Sequence, residues 1–361
     1  MHQFTSKQDF CHLFNQFQHP QLVENWADIH GAISITTQVS IDITLPFASN
    51  ELQTVLHDWI KQQQASGKVS EFPFNIRLGV KALETQVANS VKGVKNIIAV
   101  SSAKGGVGKS TTAVNLALAI AQSGGAKVGL LDADIYGPSV PMMLGGQEDA
   151  KPEVRDGKWM EPIFAHGIYT HSIGYLVDKS EAAIWRGPMA SKALSQLLTE
   201  TDWPDLDYLV IDMPPGTGGD IQLTLSQQIP VTGSVLVTTP QDLALADARK
   251  GAAMFNKVHV PVIGVVENMS YHICSQCGAK EHIFGMGGAE KMSQEFGLAL
   301  LGQIPLHISM REDIDAGVPT VARRPESEHA GYYKQLADRV CSTMFWQGKA
   351  KPDAISFTMV N

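Results

Sequence analysis

Asn96-Ile-Ile-Ala-Val-Ser-Ser-Ala103-Lys104-Gly-Gly-Val-Gly-Lys109-Ser-Thr-Thr-Ala-Val-Asn-Leu-Ala-Leu-Ala-Ile-Ala-Gln122 passes from one apolar run, through a glycine loop, into a second apolar run of different period. Ile97 to Val100 are a short run of parallel-strand type, while Val114, Leu118 and Ala121 recur at helical spacing. Strand, glycine loop and helix in that order are what a phosphate cradle needs. Gly105, Gly106 and Gly108 lack Cβ atoms, so the backbone can turn successive N–H groups toward one point. The helix beginning near Lys109 adds unpaired N–H donors and the positive end of its dipole. Lys109 can reach the β- and γ-phosphates, Ser110 offers a hydroxyl to Mg²⁺, and Ala103, Val107 and Thr111 complete the loop around the nucleotide. A glycine-rich turn before an ordinary helix is the competing reading, and the Gly-Lys-Ser-Thr ending between strand and helix argues against it. The usual pattern starts with glycine where this chain has Ala103, whose methyl narrows the allowed backbone angles.

Lys104 adds a second lysine at the start of the loop. Lys-Gly-Gly-x-Gly-Lys-Ser/Thr resembles the deviant Walker A ATPases, the group of MinD, ParA and the nitrogenase iron protein. The resemblance implies ATP as ligand and a sandwich homodimer in which Lys104 reaches the partner's nucleotide; a solvated loop lysine is the bland alternative.

The 361 residues suffice for one large and one small domain, and 44% hydrophobic with 18% charged residues is the balance of a globular protein. A net charge of −8 favours neither nucleic acid nor an anionic membrane as partner. The amino-terminal residues lack the order of a signal peptide, and no run reaches the roughly 18 apolar residues of a span, so the expected location is cytoplasmic. Four cysteines are too few for a disulfide framework.

Residues 1–90 read as a small α+β unit: a helix over 5–18, a half-buried strand or hairpin over 33–45, a helix over 51–64 and a strand over 72–80. Lys81 to Lys95 reads as a linker, and residues 91–361 as an α/β ATPase domain with a doubly wound, mostly parallel sheet. Val128 to Leu131 form its next strand, closing on Asp132-Ala-Asp134-Ile-Tyr-Gly-Pro-Ser139 at the end of the sheet where such folds bind ligands. Asp134 is the candidate for positioning the attacking water, with Asp132 near Mg²⁺ or holding the loop; an aspartate that merely caps a turn is the alternative. A hairpin around Gly157, a strand over 168–173 and a helix over 191–200 follow, with Arg186-Gly-Pro188 as a nucleotide or partner contact or a structural loop.

Tyr208-Leu-Val-Ile-Asp212 ends in an acid as a Walker B strand does, so Asp212 would hold Mg²⁺ through water. Met213-Pro-Pro-Gly-Thr-Gly-Gly-Asp220 follows as a loop able to sense the γ-phosphate, with one glycine more than Pro-Pro-Gly-Thr-Gly-Asp before Asp220. Buried strands over 234–239 and 262–266 lead to Glu267-Asn268-Met269, a strand over 300–304 leads to Pro305, and a helix over 326–345 closes the domain. In the resembling ATPases an asparagine at the place of Asn268 reads the adenine edge and a loop at Pro305 borders the base; a turn cap is the alternative for Asn268.

Cys274-Ser-Gln-Cys277 lies just beyond a core strand. Two thiolates cannot fill four coordination sites, but across a twofold axis the pair supplies four sulfurs, the ligand set of a [4Fe-4S] cluster. Zinc uses the same thiolates, and His272 with His282 could complete a site within one chain; a redox dithiol is a third reading. Together with Lys-Gly-Gly-Val-Gly-Lys-Ser-Thr, Asp-Ala-Asp-Ile-Tyr-Gly-Pro-Ser and Asp-Met-Pro-Pro-Gly-Thr-Gly, the pair closely resembles the Mrp/ApbC iron-sulfur cluster carrier ATPases, over residues 94 to about 346. That resemblance implies a slowly hydrolysing homodimeric ATPase that takes clusters from scaffold proteins, holds one [4Fe-4S] cluster between two subunits and passes it to apo-proteins. A MinD/ParA-like positioning ATPase with structural zinc is the second class, but the carboxyl terminus, with Pro352 and two lysines, is a poor membrane helix.

Overall fold

The structure, a computed structural model, describes residues 6–36, 40–87, 91–146, 151–177, 187–216 and 229–352. The first unit contains α1 (Lys7–Phe14), β1 (Ile33–Ile35), β2 (Ile41–Leu45), α2 (Leu52–Ala65) and β3 (Phe74–Leu78). Then come β4 (Val94–Ser101), α3 (Lys109–Ala121), β5 (Val128–Asp132), α4 (Val140–Met143), β6 (Val154–Arg155), β7 (Trp159–Met160), β8 (Ile163–Ala165), β9 (Ile168–Ser172) and α5 (Gly187–Thr199). The chain continues through β10 (Leu206–Asp212), β11 (Gly233–Thr238), α6 (Asp242–Lys257), β12 (Val262–Ile273), β13 (Lys280–Glu281) and α7 (Gly288–Phe296). It closes with β14 (Ala299–Leu306), α8 (Ile308–Asp315), α9 (Thr320–Arg323) and α10 (Glu328–Gln347).

The main sheet runs β13-β12-β11-β4-β10-β5-β9-β8, with β14 also on β12; only β13 and β8 pair antiparallel. Its central strand β4 is apolar on both faces, as a strand covered by helices on both sides must be. Ile98 and Val100 join a core with α3 and α10, whereas Ile97 and Ala99 join a second core with α5, α6 and α7. This is the expected doubly wound, mostly parallel α/β sheet, and it sets the carboxyl ends of β4, β5 and β10 side by side.

Local chemistry fixes the element ends. Helix α1 stops at Phe14 rather than running to residue 18, because Trp26 Nε1 donates to the Phe14 carbonyl and Ala27 N to Asn15 Oδ1, capturing the helix end. Helix α10 starts two residues later than expected, since Ser327 Oγ accepts from Ala330 N as its N-cap. β1 pairs antiparallel with β2, and the turn around Gly157 joins β6 to β7.

The first unit is a three-stranded mixed sheet, β1-β2-β3, carrying α2. Its core is continuous with the α3 and α10 side of the main sheet. Phe47 meets the rings of Phe345 and Trp346 at 5.5 and 5.8 Å, and the buried Asp338 carboxylate accepts from Asn50 N, Asn50 Nδ2 and Gln21 Nε2 at 2.7–2.9 Å. The stretch expected to be a linker is partly built in: Leu83 is buried, donates to Asn96 Oδ1 and pairs with Ala350. Among the described residues, no helix is long and apolar enough to cross a membrane.

Candidate nucleotide and thiol sites

The loop between β4 and α3 has the conformation its glycines allow. Gly106 and Gly108 both sit at φ +80°, a region costly for residues with a Cβ, and Gly108 forms the N-cap of α3. A Cβ on Gly108 would stand 2.1 Å from Asn268 Nδ2. That amide donates to the Val107 carbonyl at 2.9 Å, so Asn268, on β12, is laid against the loop. The structure thus gives its Nδ2 a bracing contact with the P-loop. Ala103, Ser110 and Thr111 are half-buried, while Lys104, Gly105 and Gly106 are exposed; Ser102 Oγ donates to the Lys104 carbonyl.

Lys109 and Asp212 are both buried, and the ammonium lies 2.5 Å from Asp212 Oδ1 and 3.3 Å from Ser110 Oγ. The other oxygen, Asp212 Oδ2, is buried without a hydrogen-bond partner. An orphaned carboxylate oxygen beside a serine hydroxyl at the mouth of a phosphate loop suits a hydrated Mg²⁺, and the residues fit that ion.

Asp132 and Asp212 are directly paired across β5 and β10. Burial first, and then the Asp212 charge, push the Asp132 carboxyl up to about 7, against the pull of Lys109. Its Oδ1 accepts from Asp134 N, and its Oδ2 from Ser139 N, Val140 N and Ser172 Oγ, which ties the end of β5 to the loop that follows it. Asp134 is half-buried at the start of that loop, its carboxyl raised by burial and pulled back down by Lys109. Arg186 and residues 217–228, with the extra glycine and Asp220, lie outside the described residues. Pro305 is within β14, not in a loop bordering the base, because β14 pairs with β12 through Leu306.

A residue not singled out in the sequence, Asn268's neighbour Glu267, anchors the middle of β12. Glu267 is fully buried; its Oε1 accepts from Ser270 Oγ and Gln303 Nε2, and its Oε2 from Ala289 N at the start of α7. A carboxylate there suits the helix dipole. The only sequence signal was a glutamate ending an apolar strand run. Just past it Met269 takes φ +54°, and the β12–β14 register shifts between Asn268 and His272.

Beyond this irregularity β12 pairs with β13, the edge strand of the main sheet, as a hairpin with Cys274-Ser-Gln-Cys277 at its tip. Gly278 N donates to the Cys274 carbonyl and Cys274 N to that of Ala279, closing a knuckle. The Cys274 thiol is held below the ordinary thiol range, chiefly by the N–H of Gln276, then by the N–H and thiol of Cys277. Donors aimed at one sulfur beside a second exposed thiol make a thiolate pair suited to a metal or cluster. Neither histidine joins it: His272 faces Glu281 at 3.5 Å, and His282 Nδ1 lies 3.3 Å from the Ser270 carbonyl. Among the described residues no group of three His, Cys, Asp or Glu gathers that could hold a metal ion.

Comparison with known proteins agrees with this geometry. The family model described as ParA: NUBPL iron-transfer P-loop NTPase matches residues 93–341. An iron-sulfur cluster carrier protein of Salmonella typhimurium is 56% identical over 352 residues, covering 95% of this chain and 94% of its own length. An iron-sulfur cluster transfer protein, NUBPL of Mus musculus, is 51% identical over 251 residues, covering 69% of this chain and 78% of its own. Among solved structures, a nucleotide-binding protein of Archaeoglobus fulgidus in complex with ADP superposes with a TM-score of 0.57 at 35% identity, over 67% of this chain and 93% of that one.

Proposed function

The chain belongs to the NUBPL-type iron-transfer P-loop NTPases, and from that premise we propose that it is an ATP-hydrolysing carrier of [4Fe-4S] clusters. Two copies share one cluster through Cys274 and Cys277 of each and deliver it in the cytoplasm to apo-proteins, having received it from scaffold proteins. The observation that carries this reading is the thiol pair itself: half-buried Cys274 and exposed Cys277 at one hairpin tip, with no third or fourth ligand among the described residues, half of a four-sulfur set.

At the nucleotide end, the backbone N–H groups of Gly105 to Thr111 and the Lys109 ammonium bind the phosphates. Ser110 and Asp212 hold Mg²⁺, which when bound neutralises charge developing on the transferring phosphoryl group. Asp134 orients the attacking water, Asp132 keeps its loop in place, and Lys104, exposed at the loop tip, reaches the partner's nucleotide. Turnover is slow because that site is complete only in the dimer. One strand supports coupling of the two ends: β12 carries Asn268, against the P-loop, and ends at Ile273, next to Cys274, so a shift at either site bears on the other.

Anaerobic reconstitution with iron and sulfide tests the reading. The expected result is about one cluster per two chains, lost when both cysteines are changed to Ala while nucleotide binding persists. A full cluster in the double variant would falsify it.

A further inference from the structure

Strand β3 is an edge of the first unit's sheet, with β2 on one side and no strand on the other among the described residues. Ile41 N donates to the Pro73 carbonyl and Gly79 N to that of Leu45, so the odd-numbered backbone groups of this segment face β2. In a parallel ladder the N–H and C=O groups of Phe74, Ile76 and Leu78 therefore point to the open edge. Their side chains share the face of their partners Ile41, Ile43 and Leu45. Those partners are at most 1% exposed, whereas the three β3 residues are only half-buried.

Helix α2 forms the other wall of a groove along this edge. The His57 ring lies 5.4 Å from that of Phe74, and the Lys61 ammonium 5.3 Å above it. A hollow of about 330 Å³ there shares Gln53 and Ile76 with a second of about 430 Å³ that runs on to Lys95. The groove is more cationic than anionic. Lys61, Arg77 and Lys95 outnumber Glu71 and Asp207 along it, and Asp207 is already held by Lys95 at 2.7 Å. Arg77, on the opposite face of β3 from Phe74, is 58% exposed, with Thr44 Oγ1 at 3.2 Å and the Asp42 carboxylate at 4.0 Å. Lys95 and Asp207 stand at the amino ends of β4 and β10, whereas the P-loop follows the carboxyl end of β4.

We propose that this edge docks an extended segment of a partner protein as an added strand, apolar on the side facing α2 and bearing a carboxylate opposite Arg77. The open backbone groups of Phe74, Ile76 and Leu78 hold the strand, the groove takes its alternate side chains, and Arg77 selects it by charge. Antiparallel pairing is the stronger of the two ladders. A second copy fits less well. Pairing two β3 strands about Ile76, the register that aligns all three apolar residues, makes the two Arg77 side chains diagonal neighbours of like charge. Docking at this end of the sheet leaves the nucleotide and thiol sites open.

Two capped heptapeptides test this on the full-length protein. Ser-Val-Glu-Ile-Thr-Val-Ser, with its Ile antiparallel to Ile76, sets Glu opposite Arg77; the second peptide has Lys in place of Glu. At equal concentration, the Glu peptide should slow hydrogen exchange of the Phe74, Ile76 and Leu78 amides roughly tenfold, and the Lys peptide far less. In an Arg77→Glu chain the preference should reverse. Slowing by neither peptide, or equal slowing by both, overturns the proposal. Protection before any peptide is added also overturns it: protection that grows with protein concentration assigns the edge to a second copy, and protection independent of concentration shows the edge covered within the chain.

Discussion

Lys109 Nζ and Asp212 Oδ1 form a closed ion pair at 2.5 Å between the two groups that a nucleotide's phosphate and its metal would each engage. Both residues are buried, Asp212 completely, so neither charge has water as an alternative partner. In the function proposed above, phosphate would draw Lys109 away and release Asp212 to the ion.

Breaking the pair from either side should therefore give different results. Lys109→Ala leaves a carboxylate buried and alone, which costs about 3–5 kcal/mol of stability, and it removes nucleotide binding. Asp212→Asn keeps the packing and the lysine, so Mg²⁺-free nucleotide binding survives while turnover falls on the order of 100-fold. Titration of a fluorescent ATP analogue with and without Mg²⁺ separates the two; an Asp212→Asn protein with normal Mg²⁺ dependence would take Asp212 out of the metal site.

Gly108→Ala meets two obstacles: a backbone at φ +80° and the Asn268 amide 2.1 Å from the new methyl. The left-handed conformation alone costs about 1–2 kcal/mol. Nucleotide affinity in the single variant is expected to fall below detection, and Gly108→Ala with Asn268→Ala should regain part of it by removing the clash but not the strain. If the second substitution restores nothing, the clash is not what closes the cradle.

Phe47 ties the first unit to the ATPase through Phe345 and Trp346 and is 1% exposed. Phe47→Ala should cost about 3–5 kcal/mol in urea denaturation. Because the core is continuous, the unmodified protein should unfold in one transition; two well-separated transitions would mean that the units fold independently.

The phosphate loop, the strand-end acids and the cysteine pair were legible because each is a short run whose chemistry demands particular residues at fixed spacing. Asn268 and Glu267 were harder for the opposite reason. What defines them is a partner distant in sequence, Val107 for one and Ala289 for the other. The same holds for Asp338, a mid-helix aspartate that gives no sign of its bonds to Gln21 and Asn50. Leu83 was read as linker because its neighbours are polar, while its burial comes from contacts that include the chain's far end at Ala350 and Gly348. Pro305 misled because proline usually marks a loop; here it occupies a strand paired by its neighbours.

The Cys274 thiol is lowered by the Gln276 and Cys277 N–H groups, so it carries more thiolate at neutral pH than an ordinary cysteine. Cys11 and Cys341 are buried, and Cys277→Ser leaves Cys274 as the reactive thiol with a hydroxyl donor beside it. The iodoacetamide rate in that variant should rise with pH along a curve displaced to lower pH relative to the same chain in denaturant. Coincident curves would show that the knuckle donors do not reach the sulfur.

Strand β12 makes the coupling between the two ends measurable without a cluster. Asn268 lies within it and Cys274 directly follows its last residue, Ile273, and a braced strand transmits a shift better than a loop does. The Asn268 bond to the Val107 carbonyl joins β12 to the P-loop, and the Glu267 bond to Ala289 N anchors the strand beside it, so a nucleotide that remodelled the P-loop would bear on β12 at this point. In the Cys277→Ser protein, ATP should change the alkylation rate of Cys274 several-fold, in line with typical linkage energies. Adding Asn268→Ala should abolish that response while leaving ATP bound, as checked by calorimetry on the same sample. A nucleotide response that survives the loss of Asn268 would place the transmission elsewhere, across the subunit interface rather than along the strand.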